Sequence, residues 1–316
     1  MRDSGLTAYV LVGATCSGKS AVAQILAERH GCAIVSADSM LVYRGMNIGT
    51  AKPSPLELRR SRTRMVDVAE PSECYSAGLY WRQALAALRD IRDAGRDAIV
   101  AGGSGLYLKA LLSGLNDAPG PVLAFRKACE DTLRREGIEA LRNALRTKAP
   151  ELATTFNGWN NARRLVRALE KAEFGEPSAM RTAWKWPAAM APVAGLRHAP
   201  DILKRRIAER VEIMYREGLL NEVEELTSRH AVLSQTARHA IGYAEALACL
   251  EGRLQVSEAK ALTITRTCQL AKRQNTWFRT QMNVVWTDVN ENEGPEQTAE
   301  TVEDAWRRIG PTPIAE

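Results

Sequence analysis

The chain has 316 residues, enough for about two domains and a sizeable core, and its 45% hydrophobic and 25% charged content is that of an ordinary soluble globular protein. Its six cysteines (16, 32, 74, 129, 249 and 268) form no CxxC pair and its four histidines are scattered, which argues against a disulfide framework or a zinc site and fits a reducing cytoplasm. There is no apolar leader behind a basic start and no apolar run near ~18 residues, so neither secretion nor membrane spanning is expected; the net charge of +6 becomes informative only through its distribution.

The first element in chain order is a short buried strand, Tyr9 to Val12. It runs into Gly13-Ala14-Thr15-Cys16-Ser17-Gly18-Lys19-Ser20, which fits G-x-x-x-x-G-K-[ST], the phosphate-cradling P-loop. A helix from Ser20 to Arg29 follows, with Val22, Ile25 and Leu26 on one face. In such a turn glycines let backbone N–H groups converge on phosphate oxygens, Lys19 adds a point charge, and the Ser20 hydroxyl reaches a Mg²⁺. The alternative, a glycine-rich turn with a solvated lysine, is opposed by the strand before and the helix after. The loop therefore predicts binding of a diphosphate or triphosphate without saying which ester.

Ala33 to Ser36 reads as a second strand, opening into a loop at Asp38, and the segment around Pro53 and Pro55 is expected to break any helix. Ser76 to Ala94 is an amphipathic helix with Leu79, Leu85, Leu88 and Ile91 on its apolar face. Ala98 to Ala101 is a third strand, ending in a second glycine turn, Gly102-Gly103-Ser104-Gly105, that feeds a helix over 106–112. This alternation predicts an α/β core with a parallel sheet flanked by helices, and both turns belong on its ligand edge. A nucleotide-hydrolysing enzyme of this kind normally ends a strand in an acid that orders Mg²⁺ and water. The third strand ends in glycines, and the acid at a strand end is Asp38, readable either as an Asx-type turn cap or as a base that takes a proton from an acceptor.

Beyond Gly114 the pattern turns helical only (121–137, 138–147 and 162–171), which predicts an all-helical insertion domain over 114–191 within a core of 1–113 and 192–316. Glu176 to Pro192 reads as a loop, Val193 to Leu196 as a returning strand, 200–216, 219–229 and 256–279 as helices, and Val284 to Trp286 as a last strand. Gly120 to Leu169 carries ten Lys or Arg against five acids, and Ala259 to Gln281 five basic residues and no acid, whereas Asp288 to Glu316 holds eight acids and two arginines. Solvated helix faces are one reading of the basic stretches; a polyanionic partner is the reading the clustering favours.

Several long stretches then resemble one family. Asp38-Ser39-Met40-Leu41-Val42-Tyr43-Arg44-Gly45-Met46-Asn47-Ile48-Gly49-Thr50-Ala51-Lys52-Pro53 is similar to a signature of the tRNA dimethylallyltransferases, also called isopentenylpyrophosphate transferases. The similarity continues in Tyr75-Ser76-Ala77, in Gly102 to Tyr107, in Arg164 to Glu170, in Ile241-Gly242-Tyr243, and from Thr265-Arg266 through Ala271 to Arg279. No Cys or His follows Cys268, so the zinc finger of eukaryotic members is not expected and the resemblance points to the bacterial type.

The resemblance implies an enzyme that moves a dimethylallyl group from dimethylallyl diphosphate to the exocyclic amine of the adenosine 3′-adjacent to the anticodon, with Mg²⁺ as cofactor and without ATP consumption. It implies that Gly13 to Ser20 hold the diphosphate, that Ser20 reaches the metal, and that Asp38 is the general base. Thr15 would position diphosphate and acceptor, and Arg210 would contact the diphosphate from the far side; on the residues alone Arg210 reads as a solvated helix charge. Asp38, Ser39, Met40, Leu41, Ser104, Arg163, Arg164 and Arg167 would hold the anticodon stem-loop and the extruded base, Arg164 and Arg167 from one helical face. The expected partner is tRNA, and the expected state a monomer. Departures from the family pattern are Ala14, Cys16, Ser20 and Ser104, which keep backbone shape or hydroxyl, and Arg64, Arg163 and Ala244, which touch tRNA contact. A small-molecule kinase and a non-catalytic RNA-binding protein are the competing readings, the first opposed by the missing strand-end acid and the basic insertion, the second by Asp38, Thr15, Lys19 and Arg210 all being present.

Overall fold

The computed structural model describes residues 5–115, 122–175 and 191–316. They form two compact units, one of residues 1–114 with 187–316 and one of 115–186.

The larger unit is built on a parallel sheet. Strands β1 (Thr7–Gly13), β2 (Ala33–Ser36), β3 (Ala98–Gly102), β4 (Val193–Arg197) and β5 (Val284–Asp288) lie in the order β2-β3-β1-β4-β5, with β6 (Thr312–Pro313) antiparallel to the start of β1. β1, β2 and β3 are nearly continuous apolar runs because helices cover both faces of a parallel sheet. Helix Lys19–His30 buries Val22, Ala23, Leu26 and Ala27 against it, and helix Ala77–Asp93 buries Tyr80, Ala84, Leu85, Leu88 and Ile91. The chain leaves β1 for β2, returns to place β3 between them, and only then crosses to β4. Such an order opens a crevice at the carboxyl ends of the central strands, where open α/β sheets bind ligands.

One sequence expectation needs correction here, and one helix is not read from the sequence at all. The segment at Pro53 and Pro55 does not exclude a helix: Pro55 opens a short one, Pro55–Arg60, at the first helical position where its missing N–H costs nothing, and Ser54 and Glu57 close a capping box around it. The acidic C-terminal stretch holds a helix, Pro295–Ile309, whose Ala299, Val302, Ala305 and Trp306 pack into the main core while Glu296, Glu300 and Asp304 face solvent and Glu303 pairs with Arg29 of the phosphate-loop helix. Trp306 Nε1 donates to the Val10 carbonyl at 3.2 Å, tying this helix to β1.

The smaller unit is helical in its described part: Leu123–Glu136, Ile138–Lys148, Pro150–Thr155 and Ala162–Phe174 pack around Cys129, Leu141, Leu145, Ala149, Leu165, Ala168 and Leu169. The loop expected over Glu176 to Pro192 lies outside the described residues except for its last two positions. At the edge of this core Glu170 is fully buried and accepts from the Val122 amide at 2.7 Å, from Arg126 Nε at 2.9 Å and Nη2 at 2.7 Å, and from Arg167. Burial by itself would raise the Glu170 carboxyl; the Arg126 guanidinium, the Val122 amide and Arg167 outweigh it and hold it down at about 2. A carboxyl depressed in the folded state stabilises it above the ordinary carboxyl range and loses that contribution as pH falls toward about 2. Glu170→Gln is therefore expected to destabilise this unit by about 1.5–3 kcal/mol at neutral pH, the scale for losing hydrogen bonds to a charged group, since Arg126 and Arg167 are partly exposed and stay solvated without their partner. Hydrogen exchange of amides in the Leu123–Glu136 and Ala162–Phe174 helices checks it, with the gap to wild type closing as pH is lowered through the carboxyl range.

Candidate active site

β1 delivers Gly13 to the carboxyl edge, where the chain approaches so closely that a Cβ on Gly13 would lie 2.9 Å from the Leu196 carbonyl of β4. The loop turns through Cys16, which has a positive φ of 62°, and Gly18 at φ 88°, and helix Lys19–His30 begins with no side chain capping its N-terminus. Its first-turn amides have no intrahelical partner and point, with the positive end of the helix dipole, into the loop. Lys19 is buried and its Nζ donates to the Ala14 carbonyl at 3.2 Å. Burial lowers the Lys19 pKa, the neighbouring Asp38 charge works against that, and the Arg210 guanidinium adds to it. The lysine is thus poised to gain from an incoming anion, which stabilises its charged form.

β2 ends at Ser36, whose carbonyl accepts from the Tyr80 hydroxyl at 3.0 Å; Tyr80 in turn stacks on Tyr107 with ring centroids 3.9 Å apart. That anchored end presents Asp38. Its Oδ1 accepts the Met40 amide at 2.9 Å, so the turn-cap reading is real, but this employs one carboxylate oxygen only. Asp38, Lys19, Ser20 and Leu41 line a single cavity of about 40 Å³. β3 ends at Gly102, pressed against the same loop: a Cβ there would sit 2.2 Å from the Ala37 carbonyl. Ser104 completes the junction by donating its amide to Ala37 O at 3.0 Å and accepting the Ser39 amide on Oγ at 2.9 Å. A hydroxyl at position 104 thus has a structural use next to Asp38.

The helix over Pro200–Arg216 supplies the third wall. Arg206 Nε donates to the Cys16 carbonyl at 2.9 Å. Arg210 is not a solvated helix charge: its Nη2 donates to the Thr50 carbonyl at 2.8 Å, and its Nη1 lies 3.5 Å from Thr15 Oγ1 and 3.6 Å from Cys16 Sγ. The edge therefore gathers the loop 13–20, Asp38 to Leu41, Ser104 and Arg210 from four separate stretches of chain. Arg163, Arg164 and Arg167 belong to the smaller unit, on the helix Ala162–Phe174. The first two are exposed, while Arg167 is half-buried and bonded to Glu170, so Arg164 and Arg167 do not present matching guanidinium groups.

Sequence reasoning assigned no role to three groups that build this edge. Gln274 bonds the Thr15 amide and the Gly103 carbonyl, each at 2.9 Å. Glu222 accepts the amides of Asn47, Ile48 and Gly49 at 3.0, 2.7 and 3.4 Å and the Tyr243 hydroxyl at 2.6 Å, holding the loop that ends at Thr50. Arg206 shapes the phosphate loop from outside. Glu222 and Arg206 look in the sequence like any charge on an amphipathic helix; Gln274 is one of many uncharged polar residues in its helix, and its one signal is that it lies in the Ala271 to Arg279 stretch that resembles the family. The basic helix itself is not uniformly apolar-in: Phe278 is fully buried, whereas Leu262 is 42% exposed.

Residues 41–281 match the family described as IPP transferase. The chain belongs to the IPP transferase family. A tRNA dimethylallyltransferase of Geobacter metallireducens is 40% identical over 295 residues, covering 91% of this chain and 94% of that protein. The crystal structure of the full-length tRNA isopentenylpyrophosphate transferase of Bacillus halodurans shares 31% identity and a TM-score of 0.67 over 96% of this chain and 98% of its own. A eukaryotic dimethylallyltransferase solved acting on tRNA shares the fold, with a TM-score of 0.77 at 23% identity, over 98% of this chain and 81% of its own. The fold of this IPP transferase is thus that of a P-loop sheet flanked by helices, and the family match starts three residues beyond Asp38. Among the described residues no helix is long and apolar enough to cross a membrane, and no group of three or more His, Cys, Asp or Glu forms a metal cluster.

Proposed function

We propose that this IPP transferase moves the dimethylallyl group of dimethylallyl diphosphate to the exocyclic amine of the adenosine 3′-adjacent to the anticodon of tRNA, releasing diphosphate. The observation that carries the reading is the convergence at one sheet edge of a phosphate loop, a strand-end carboxylate with an uncommitted oxygen, and Arg210. In the reaction the allylic C1–O bond breaks, its electron pair leaving with diphosphate, and a C1–N bond forms to the amine. Gly13, Ala14, Thr15, Cys16, Ser17, Gly18, Lys19 and Ser20 surround the diphosphate, the first-turn amides and Lys19 receiving the charge that grows on the leaving oxygen. Arg210 faces the same loop across Thr15 and adds to that stabilisation. The acceptor amine is a weak nucleophile with its lone pair delocalised into the ring; Asp38 takes its proton as the bond forms. Thr15, between Arg210 and the loop, orients donor and acceptor.

A Mg²⁺ fits the oxygens present. Ser20 lines the same cavity as Lys19 and Asp38, and Mg²⁺ is commonly held by one or two protein oxygens plus substrate phosphates rather than by a protein cage, so the Ser20 hydroxyl with the diphosphate would hold it and leave the free Asp38 oxygen for the proton. Bound there with the diphosphate, it would neutralise part of the leaving-group charge.

Asp38, Ser39, Met40, Leu41 and Ser104 would meet the extruded base, since an adenine stacked in its loop cannot bring its amine to a recessed carboxylate. Exposed Arg163 and Arg164, with Arg167 beside them, would contact the phosphates of the anticodon stem-loop from the insertion over 114–191. All six cysteines are free, in keeping with a cytoplasmic enzyme, and we take it to act as a monomer. The test is incubation of the protein with Mg²⁺, unmodified tRNA and dimethylallyl diphosphate, followed by detection of prenylated adenosine and free diphosphate. Absence of product, with ATP turnover on a small acceptor, would show a kinase instead.

A further inference from the structure

The helix Val256–Gln281 lays one face along both glycine turns. Ala271 packs in one cluster with Ala14 of the phosphate loop, and the Trp277 ring occupies the space beside Gly105, where a Cβ would come within 2.5 Å of it. Between these two contacts, on the same helical face, stands Gln274. Its Oε1 accepts the Thr15 N–H at 2.9 Å and its Nε2 donates to the Gly103 carbonyl at 2.9 Å. A backbone N–H on one side and a backbone C=O on the other leave only one orientation of the carboxamide that satisfies both. The fit is close, since a Cβ on Gly103 would fall 2.6 Å from Nε2.

These two bonds join the loops that the sheet no longer joins. β1 stops at Gly13 and β3 at Gly102, so ladder hydrogen bonding ends before Thr15 and Gly103. Past that point the route from the diphosphate loop to the base runs from Thr15 through Gln274 to Gly103 and Ser104. From there the Ser104 amide holds Ala37 O and the Ser104 hydroxyl holds the Ser39 amide, on either side of Asp38.

We propose that Gln274 is a positioning residue that sets the separation between the diphosphate loop and the Asp38 loop, and so the alignment of the allylic carbon with the amine. The assignment rests on the transferase reading above. Gln274 touches neither substrate; it acts through the Thr15 and Gly103 backbone. Two neutral hydrogen bonds at a half-buried site matter little to the stability of the whole fold. A displacement of about 1 Å between reacting groups, by contrast, costs on the order of 10²-fold in rate. A residue of this kind should therefore show a turnover defect out of proportion to any effect on folding or on ground-state binding.

The variants are Gln274→Met, similar in length but unable to bond either partner, and Gln274→Glu, which keeps the acceptor for Thr15 and turns a carboxylate oxygen on the Gly103 carbonyl. Steady-state kinetics with tRNA and dimethylallyl diphosphate, the affinity for inorganic diphosphate and the thermal midpoint are measured for each. We expect kcat to fall about 10²-fold in both; in the neutral Gln274→Met, KM for dimethylallyl diphosphate and diphosphate affinity stay within about 3-fold of wild type and the midpoint falls by a few degrees, whereas the added charge of Gln274→Glu also weakens diphosphate binding. Turnover within about 3-fold of wild type in both variants overturns the inference. So does a loss of diphosphate affinity in Gln274→Met that matches its loss of kcat, because Gln274 would then maintain the shape of the phosphate loop alone. A wild-type chain that makes no prenylated adenosine overturns the transferase reading and this inference together; an active wild type with unaffected variants overturns only this inference.

Discussion

Asp38→Asn is expected to lower kcat by about 10²-fold or more while leaving the fold and the turn intact. The choice of asparagine follows from the geometry. Asp38 Oδ1 accepts the Met40 amide at 2.9 Å, and an asparagine carbonyl oxygen in the same place accepts it equally well. What asparagine cannot do is take a proton. If Asp38 were only a turn cap, Asp38→Asn would turn over at close to the wild-type rate; if it is the base, Asp38→Asn and Asp38→Ala should be comparably slow. Asp38→Ala should in addition lose the turn bond, worth about 1 kcal/mol, visible as a lower thermal midpoint than that of Asp38→Asn. A second consequence separates charge from hydrogen bonding. The Asp38 carboxylate works against the burial that lowers the Lys19 pKa, so removing it lets the lysine lose its proton at lower pH. In either variant, KM for dimethylallyl diphosphate should therefore begin to rise at a lower pH than in wild type. Single-turnover rates and KM measured across neutral to alkaline pH check both statements.

Features carried by a few consecutive residues were legible in the sequence. The strand–loop–helix around Gly13 to Ser20 is local: the glycines, the lysine and the flanking apolar runs act on one another within a dozen positions. Asp38 was recognisable as a strand-end acid for the same reason, although position alone could not separate cap from base, and the geometry shows that the cap bond is present. Residues whose role depends on distant chain were not legible from the residues alone; the family resemblance pointed to Arg210 but gave no role to Gln274 or Glu222. Arg210 meets Thr15 across 195 positions and Gln274 meets it across 259, and no periodicity in either helix marks the contact. The same limit applies to Glu222, which holds Asn47 to Gly49 from about 175 positions away. The hidden helix Pro295–Ile309 failed for a different reason: its charges dominate the composition while four small or aromatic side chains at helical spacing do the packing. Pro55 shows that a proline rule depends on position, since the residue that ends one helix starts another when a capping serine precedes it.

Arg210→Met is expected to reduce kcat/KM for dimethylallyl diphosphate by about 10²- to 10³-fold, the range for removing one fixed donor to a developing negative charge. The guanidinium holds Thr50 O with Nη2 and turns Nη1 toward Thr15 Oγ1, so one side chain spans the signature loop and the phosphate loop. Its Nε is buried with no hydrogen-bond partner, and the group is held in place by its two outer nitrogens. A lysine brings the charge but only a single nitrogen, which cannot hold the Thr50 carbonyl and face the diphosphate at once; Arg210→Lys should recover only part of the loss. The competing role is a tether. If Arg210 merely pinned Thr50, Arg210→Met would loosen residues 45–52, and the loss would appear in tRNA affinity with diphosphate binding unchanged. If it stabilises the leaving group, inorganic diphosphate binds more weakly to Arg210→Met, and kcat falls even at saturating tRNA. The two roles make opposite predictions for diphosphate affinity, and isothermal titration of the variant with diphosphate and Mg²⁺ decides between them.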